Sequence, residues 1–319
     1  MAHHVFIASS SFAENDDRPL KIIKDSGLTL TKNSTKKRLN QEQLMALAQG
    51  ADAVIAGLEV YDAQVLEHLK KLRCISRCGV GVDNIDLKKA KERNITVLNT
   101  PDVVTQPVAE LTLAMILDLL RRVTAHALLM RERKWERLTG NLLLGKKAGV
   151  IGLGRIGRRV AQLLRAWGIE VIGADISPDK VWAKEQGVKI LPLEQVLAES
   201  DIVTLHVSVT HDHPFCLGEN EISRMKKGAF LVNVSRGSLI DESALFKALH
   251  SGHLAGAGLD VFEQEPYAGP LCDLGNVILT PHIATLTQES RREMEIEATQ
   301  NMIDFFNTSP RKNSFLRPL

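Results

Sequence analysis

The chain has 319 residues, of which 44% are hydrophobic, 24% charged and 4% aromatic, with a formal net charge of +2. At about 150 residues per domain this length implies two domains, and the composition excludes a disordered chain or a coiled coil. Near-neutral charge without a long block of one sign argues against nucleic acid or a membrane surface as partner.

In chain order, short aliphatic runs alternate with helical periodicity, the βαβ signal of a parallel sheet. The N-terminus turns polar at Ser9 to Ser11 and acidic at Glu14 to Asp17, so no signal peptide is expected. Strands are predicted at Val5 to Ala8, Ala53 to Ala56, Cys74 to Arg77 and Thr96 to Leu98, with helices between them. The clearest helix start is Asn40, an N-cap with Gln43 three residues on and a Leu39–Leu44 staple. A long helix is predicted from Pro107, a residue suited to a first helical turn. A second series follows, with strands at Ala148 to Ile151, Glu170 to Ala174, Ile202 to His206, Phe230 to Val234, Gly256 to Val261 and Val277 to Thr280. Its helices are predicted at Gly154 to Trp167, Leu193 to Glu199, Glu219 to Met225 and Glu242 to Ser251, and a last helix at about Gln288 to Phe306. The break between the two series falls near Asn99.

The four cysteines, Cys74, Cys78, Cys216 and Cys272, show neither C-x-x-C nor zinc-type spacing, so reduced structural thiols and a cytoplasmic protein are expected. No apolar run approaches the about 20 residues of a membrane span, and no metal site is expected.

Gly152-Leu-Gly154-Arg-Ile-Gly157 follows a predicted strand and opens a predicted helix, and a second strand ends at Asp175, 18 residues past Gly157. That context makes it a dinucleotide fingerprint. Gly152 allows the tight turn, Gly154 lets backbone approach a pyrophosphate, and Gly157 allows close packing of helix on strand. The helix N-terminus offers N–H groups to the phosphates. Asp175 would accept from the ribose hydroxyls and repel a 2′-phosphate, so NAD is expected over NADP.

Three later segments carry polar residues past predicted strands: Asn233-Val-Ser-Arg236-Gly237, Asp260-Val-Phe-Glu263-Gln-Glu265-Pro266 and Thr280-Pro281-His282-Ile283. In a doubly wound sheet such loops converge where ligands bind. Arg236 can hold a carboxylate bidentately, His282 can exchange a hydroxyl proton near neutrality, and Glu265 can orient the imidazole.

With these segments, Gly79-Val-Gly81-Val-Asp83-Asn84-Ile-Asp86, Asn99-Thr-Pro101 and Val108-Ala-Glu110-Leu-Thr-Leu, nearly the whole chain resembles the NAD-dependent D-isomer-specific 2-hydroxyacid dehydrogenases, especially the 3-phosphoglycerate dehydrogenase branch. The resemblance implies an α/β protein with a Rossmann doubly wound sheet at 99–287. A smaller flavodoxin-like substrate domain is made of 1–98 with 288–319. It implies Arg236, Glu265 and His282 as the catalytic trio, and Arg155, Ile156, Asp175, Thr210, Val234, Ser235, Asp260 and Ala284 around the cofactor. Val80 and Gly81 would face the substrate and nicotinamide, and a homodimer would form through the cofactor domain.

Several positions depart from the family pattern. Where many 3-phosphoglycerate dehydrogenases carry, after the second strand, an Arg that helps to hold phosphate, this chain has Ala56-Gly57-Leu58-Glu59, and Glu59 would repel phosphate if it faced the cleft. Val104 replaces a frequent Asn. Arg77 reads either as an anion ligand or as a surface residue. The usual His-x-Pro-x-Thr is His206-Val-Ser208-Val-Thr210, followed by His211 and His213, read as exposed loop residues. The chain ends at Leu319, so no serine-binding regulatory domain and no feedback through one is expected. The expected activity is interconversion of a small D-2-hydroxy acid and its 2-keto acid. The alternative is a non-enzymatic NAD(H)-sensing protein resembling the transcriptional corepressors of this fold; a non-carbon substrate such as phosphite is disfavoured by the absence of a Lys at Val80-Gly81-Val82.

Overall fold

The short aliphatic runs read as strands form parallel strands, and the chain gathers them into two separate sheets. The computed structural model describes residues 3–208 and 215–307. The chain divides into two units, Met1–Val104 with Leu286–Leu319, and Thr105–Thr285.

The first unit runs β1 (His4–Ile7), α1 (Arg18–Asp25), β2 (Thr29–Lys32), α2 (Gln41–Leu47), β3 (Ala53–Ala56), α3 (Ala63–His68), β4 (Cys74–Arg77), α4 (Leu87–Glu92) and β5 (Thr96–Leu98). Its five strands lie in the order β2-β1-β3-β4-β5, all parallel, the flavodoxin-like arrangement. β3 and β4 are buried throughout, as central strands covered on both faces must be. Asn40 closes a capping box with Gln43, and Asp62 and Asp86 cap α3 and α4 by accepting from the N–H groups of Val65 and Lys89. The C-terminal helix, Gln288–Asn307, returns to this unit with Met294, Ala298 and Met302 buried at helical spacing. The Ser76 hydroxyl donates to the Ala298 carbonyl at 2.7 Å, and the Asn301 amide to the Asn99 carbonyl at 3.2 Å.

The second unit opens with α5 (Thr105–Arg121), which holds Pro107 in its first turn, and α6 (Val123–Arg131). It continues β6 (Lys147–Ile151), α7 (Arg155–Ala166), β7 (Glu170–Ala174), α8 (Lys180–Glu185), β8 (Lys189–Ile190), α9 (Leu193–Glu199) and β9 (Ile202–Leu205). After these come α10 (Glu219–Arg224), β10 (Ala229–Asn233), α11 (Glu242–His250), β11 (Leu254–Leu259) and β12 (Val277–Leu279). The strand order β12-β11-β10-β9-β6-β7-β8, again all parallel, is the Rossmann order, with its switch between β6 and β9. Two strand ends differ from the sequence expectation in a way that matters for the site. β11 stops at Leu259 and β12 at Leu279, so Asp260 and Thr280 lie in the loops.

Candidate active site

The fingerprint occupies the turn from β6 into α7. Gly152 has φ +88°, and a Cβ there would lie 2.5 Å from the His206 carbonyl oxygen; a Cβ on Gly157 would lie 1.9 Å from the Gly152 carbonyl. Neither position accepts a side chain. Gly154, the N-cap of α7, has open space where a Cβ would be, and the first N–H groups of a helix have no partner within it. An open backbone face at a helix N-terminus suits an anionic pyrophosphate. Asp175 stands just past β7, half-buried, accepting from the N–H of Leu153 at 2.6 Å and of Ser177 at 2.7 Å. The carboxylate expected to meet the ribose is thus fastened to the fingerprint loop. These residues fit a dinucleotide.

Among the other expected cofactor residues, Arg155 is exposed, Ile156 half-buried, and Val234 and Ala284 buried. The Ser235 hydroxyl donates to the Leu205 carbonyl at 2.8 Å, joining the ends of β10 and β9. Thr210, like His211 and His213, lies outside the described residues. No group of His, Cys, Asp or Glu suited to a metal ion occurs among the described residues.

The expected trio sits past three neighbouring strands. Arg236 follows β10 in extended backbone; its Nη1 donates to the Ser235 carbonyl at 2.6 Å. The loop is braced by Asn233, whose amide donates to the Arg236 carbonyl at 2.8 Å and whose Oδ1 accepts from Ser235 N–H at 3.1 Å. Glu265 follows β11 and accepts from Phe262 N–H at 3.2 Å. His282 follows β12, its Nδ1 at 2.9 and 3.2 Å from the two Glu265 oxygens, both side chains being partly exposed. With Nδ1 engaged by the carboxylate, Nε2 is the nitrogen left to exchange a proton with a substrate.

Sequence reasoning placed Asp260 beside the cofactor but missed what else it does. It is fully buried and accepts from the Thr280 hydroxyl at 2.5 Å and from the N–H groups of Ile283 and Ala284 at 2.8 Å each. Its carbonyl accepts from His282 N–H at 2.9 Å. His282 has φ +56°, a left-handed conformation that costs energy in a non-glycine residue and persists only where its surroundings impose it. Asp260 supplies that restraint. Burial pushes its carboxyl pKa up, against the lowering by its three donors. The legible signal was an acid directly after an aliphatic strand.

In the first unit, Arg77 is buried, which removes the surface-residue reading, and its Nη1 donates to the Cys78 carbonyl. The following loop is held by Asn99, whose amide donates to the Val80 carbonyl at 2.8 Å, and by Thr100, whose hydroxyl accepts from Gly79 N–H at 2.8 Å. Val80 and Gly81 are half-buried. Glu59 is only 2% exposed and accepts from Gly57 N–H at 2.8 Å, so it is a loop-stabilising group and not a solvent-facing charge. The Cys74 and Cys78 thiols are buried, and burial raises both, Cys78 to about 12; Cys216 and Cys272 are exposed.

Comparison with known proteins gives the family. Residues 113–284, more than half of the chain, match the family model described as D-isomer specific 2-hydroxyacid dehydrogenase, NAD binding domain. The chain is 40% identical over 275 residues to a glyoxylate reductase of Korarchaeum cryptofilum, covering 83% of each. It is 36% identical over 288 residues to a D-3-phosphoglycerate dehydrogenase of Archaeoglobus fulgidus, covering 89% of this chain but 55% of that protein. Among solved structures, D-lactate dehydrogenase from Aquifex aeolicus, complexed with NAD and lactic acid, superposes with a TM-score of 0.84 at 29% identity over 96% of each chain. The chain belongs to the D-isomer-specific 2-hydroxyacid dehydrogenases, oxidoreductases that use NAD to interconvert 2-hydroxy and 2-keto acids.

Proposed function

We propose that Arg236, Glu265 and His282 carry out this interconversion on a small, unphosphorylated D-2-hydroxy acid of the glyoxylate or hydroxypyruvate type. The observation that carries the assignment is the His282–Glu265 hydrogen bond at 2.9 Å, partly exposed on a loop that Asp260 locks. Arg236 binds the substrate carboxylate and polarises the neighbouring C2 oxygen. In oxidation His282 Nε2 takes the hydroxyl proton, and in reduction it returns one; Glu265 holds the ring and balances its positive charge. When bound, NAD supplies the nicotinamide that accepts or gives the C2 hydride. Gly152 to Gly157 and Asp175 hold its pyrophosphate and ribose, and Arg155, Ile156, Val234, Ser235, Asp260 and Ala284 complete its surroundings. The first unit acts as the substrate domain through Val80 and Gly81, while Arg77, expected as an anion ligand, donates to the Cys78 carbonyl of its own loop. Two features favour a substrate without phosphate: Arg77 is buried and donates to its own loop, and the segment Ala56-Gly57-Leu58-Glu59, with its buried Glu59 carboxylate, takes the place where many 3-phosphoglycerate dehydrogenases carry a phosphate-holding Arg.

A cytoplasmic homodimer formed through the second unit completes the reading. No helix among the described residues is long and apolar enough to cross a membrane. α6 buries none of its residues, and Leu128, Met130, Trp135, Leu142 and Leu144 are all more than half exposed, an apolar strip that a second copy would cover. Light scattering should show a dimer, and Leu142→Glu with Leu144→Glu a monomer; a monomeric wild type overturns the dimer.

The activity is tested by following NADH with glyoxylate, hydroxypyruvate and 3-phosphohydroxypyruvate. Turnover of the first two, at higher kcat/KM than the third, is expected. Saturable NADH binding with no consumption on any keto acid would instead establish the sensor alternative.

A further inference from the structure

Arg158 is the first residue past the fingerprint, on the first turn of α7, and its guanidinium makes three contacts. Nε donates to the Leu153 carbonyl at 2.8 Å. Nη1 meets the Asp179 carboxylate at 3.2 Å. The guanidinium carbon lies 5.1 Å from the centre of the Trp182 ring, within cation–π range. Asp179 in turn caps α8, its Oδ1 accepting from Trp182 N–H at 3.0 Å. Leu153 is the residue between Gly152 and Gly154, so Arg158 reaches back over the fingerprint and forward to the segment after Asp175.

The Leu153 carbonyl and the Gly154 N–H share one planar trans peptide and point in opposite directions. A hydrogen bond that fixes the carbonyl therefore fixes the N–H, at the glycine whose backbone is open to a ligand. On the other side of Leu153, its own N–H is held by Asp175 at 2.6 Å. The two peptides flanking Leu153 are thus fastened from opposite sides, one by the ribose-facing acid and one by Arg158. Without these bonds a glycine-flanked peptide is free to rotate, and a carbonyl turned toward the phosphates would repel them.

We propose that Arg158 is a positioning residue for NAD: it fixes the Leu153–Gly154 peptide so that the loop presents N–H groups to the pyrophosphate, and couples that loop to the adenosine side of the site through Asp179 and Trp182. This lies wholly in the half of the site that meets ADP-ribose, remote in sequence from Arg236, Glu265 and His282. The bond lost is charge-assisted, the stronger kind.

The test is isothermal titration of NADH and of ADP-ribose. Arg158→Met keeps the aliphatic stem over Trp182 and removes every donor. About tenfold weaker binding is expected for both ligands, with kcat at saturating cofactor within twofold of wild type. Asp179→Asn retains a good helix cap and should leave affinity within threefold. Unchanged binding by Arg158→Met, or a fall in kcat as large as the fall in affinity, overturns the proposal. So does an Asp179→Asn variant that reproduces the whole loss, because Arg158 would then serve only to anchor α8. If Arg158→Met does not fold, Arg158→Lys, which keeps the charge beside Asp179 but not the planar Nε donor, gives the same reading: weaker binding supports the proposal and wild-type binding overturns it.

Discussion

The loops at the carboxyl ends of the two parallel sheets use polar residues in opposite ways. In the five-stranded sheet they are buried and turned inward. Asn33 donates to the Ala8 and Lys37 carbonyls, Thr100 accepts from Gly79, and Glu59 accepts from Gly57. In the seven-stranded sheet a half-exposed group is held by a buried one: Glu265 and His282 by the loop that Asp260 locks, and Arg236 by the loop that Asn233 braces. Both sheets share the topology that puts ligand sites at this edge, so topology alone does not separate scaffold from chemistry. Under the function proposed above, it is the combination of partial exposure and a buried support that marks the proton-exchanging and carboxylate-binding groups.

Substitution at the two kinds of position should separate rate from stability. His282→Gln or Arg236→Gln should lower kcat by about 10²- to 10⁴-fold while NADH binding by fluorescence and the unfolding midpoint change little. Comparable activity in both variants would break the comparison, because exposure would then not mark chemistry. Asp260→Ala should do both: it strands the Ile283 and Ala284 N–H groups, each orphaned donor costing about 1–3 kcal/mol, and it releases the His282 backbone. Urea unfolding and kcat should fall together. In the other sheet, Thr100→Val removes the acceptor of Gly79 N–H and should cost about 1–3 kcal/mol in urea with NADH affinity unchanged. Asp175→Ala is the smaller binding effect, about a tenfold loss for NADH with relaxed discrimination against NADPH; an unchanged preference would place the ribose carboxylate elsewhere.

How much of this was legible follows from the range of each interaction. Strands β3, β4 and β7 fall on the residues that their aliphatic runs mark, because a strand with neighbours on both sides in a covered sheet is hydrophobic on both faces; the edge strand β5 was legible too, its Thr-Val-Leu run still carrying the buried Leu98. The Asn40 box was readable because a cap is settled within four residues. The edge strands β2, Thr-Leu-Thr-Lys, and β8, Lys-Ile, were missed: each pairs on one side only and carries no buried run. Within the site, the His282–Glu265 hydrogen bond was foreseen as a condition, and it is formed. The grip of Asp260 on a loop more than twenty residues later, and of Arg158 on Leu153 and Asp179, depend on where strands end and chains meet. No local pattern encodes that.

The rule has a boundary case in the second unit, where a buried polar residue lies beside the nucleotide loop. His206 follows β9 with Nε2 3.0 Å from the Thr204 hydroxyl and Nδ1 without a hydrogen-bond partner. Burial alone lowers its pKa from 6.5 to about 3, so it is neutral in the fold at any pH where the protein would be assayed. Between pH 3 and 6.5 the unfolded chain binds a proton at this site that the folded chain refuses. Its contribution is therefore complete above pH 6.5 and is lost as pH falls toward 3, at a slope approaching about 1.4 kcal/mol per pH unit. Unfolding midpoints of wild type and His206→Gln should run parallel above pH 7 and converge or cross below 6, with wild type the more acid-sensitive. Because the His206 carbonyl oxygen lies 2.5 Å from where a Gly152 Cβ would be, the His206 backbone packs against the fingerprint turn, and NADH affinity should weaken in the same acid range in wild type and not in the variant. Curves that remain parallel down to pH 4 would mean that the folded protein tolerates the charge, and that burial at this strand end restrains titration less than the packing implies.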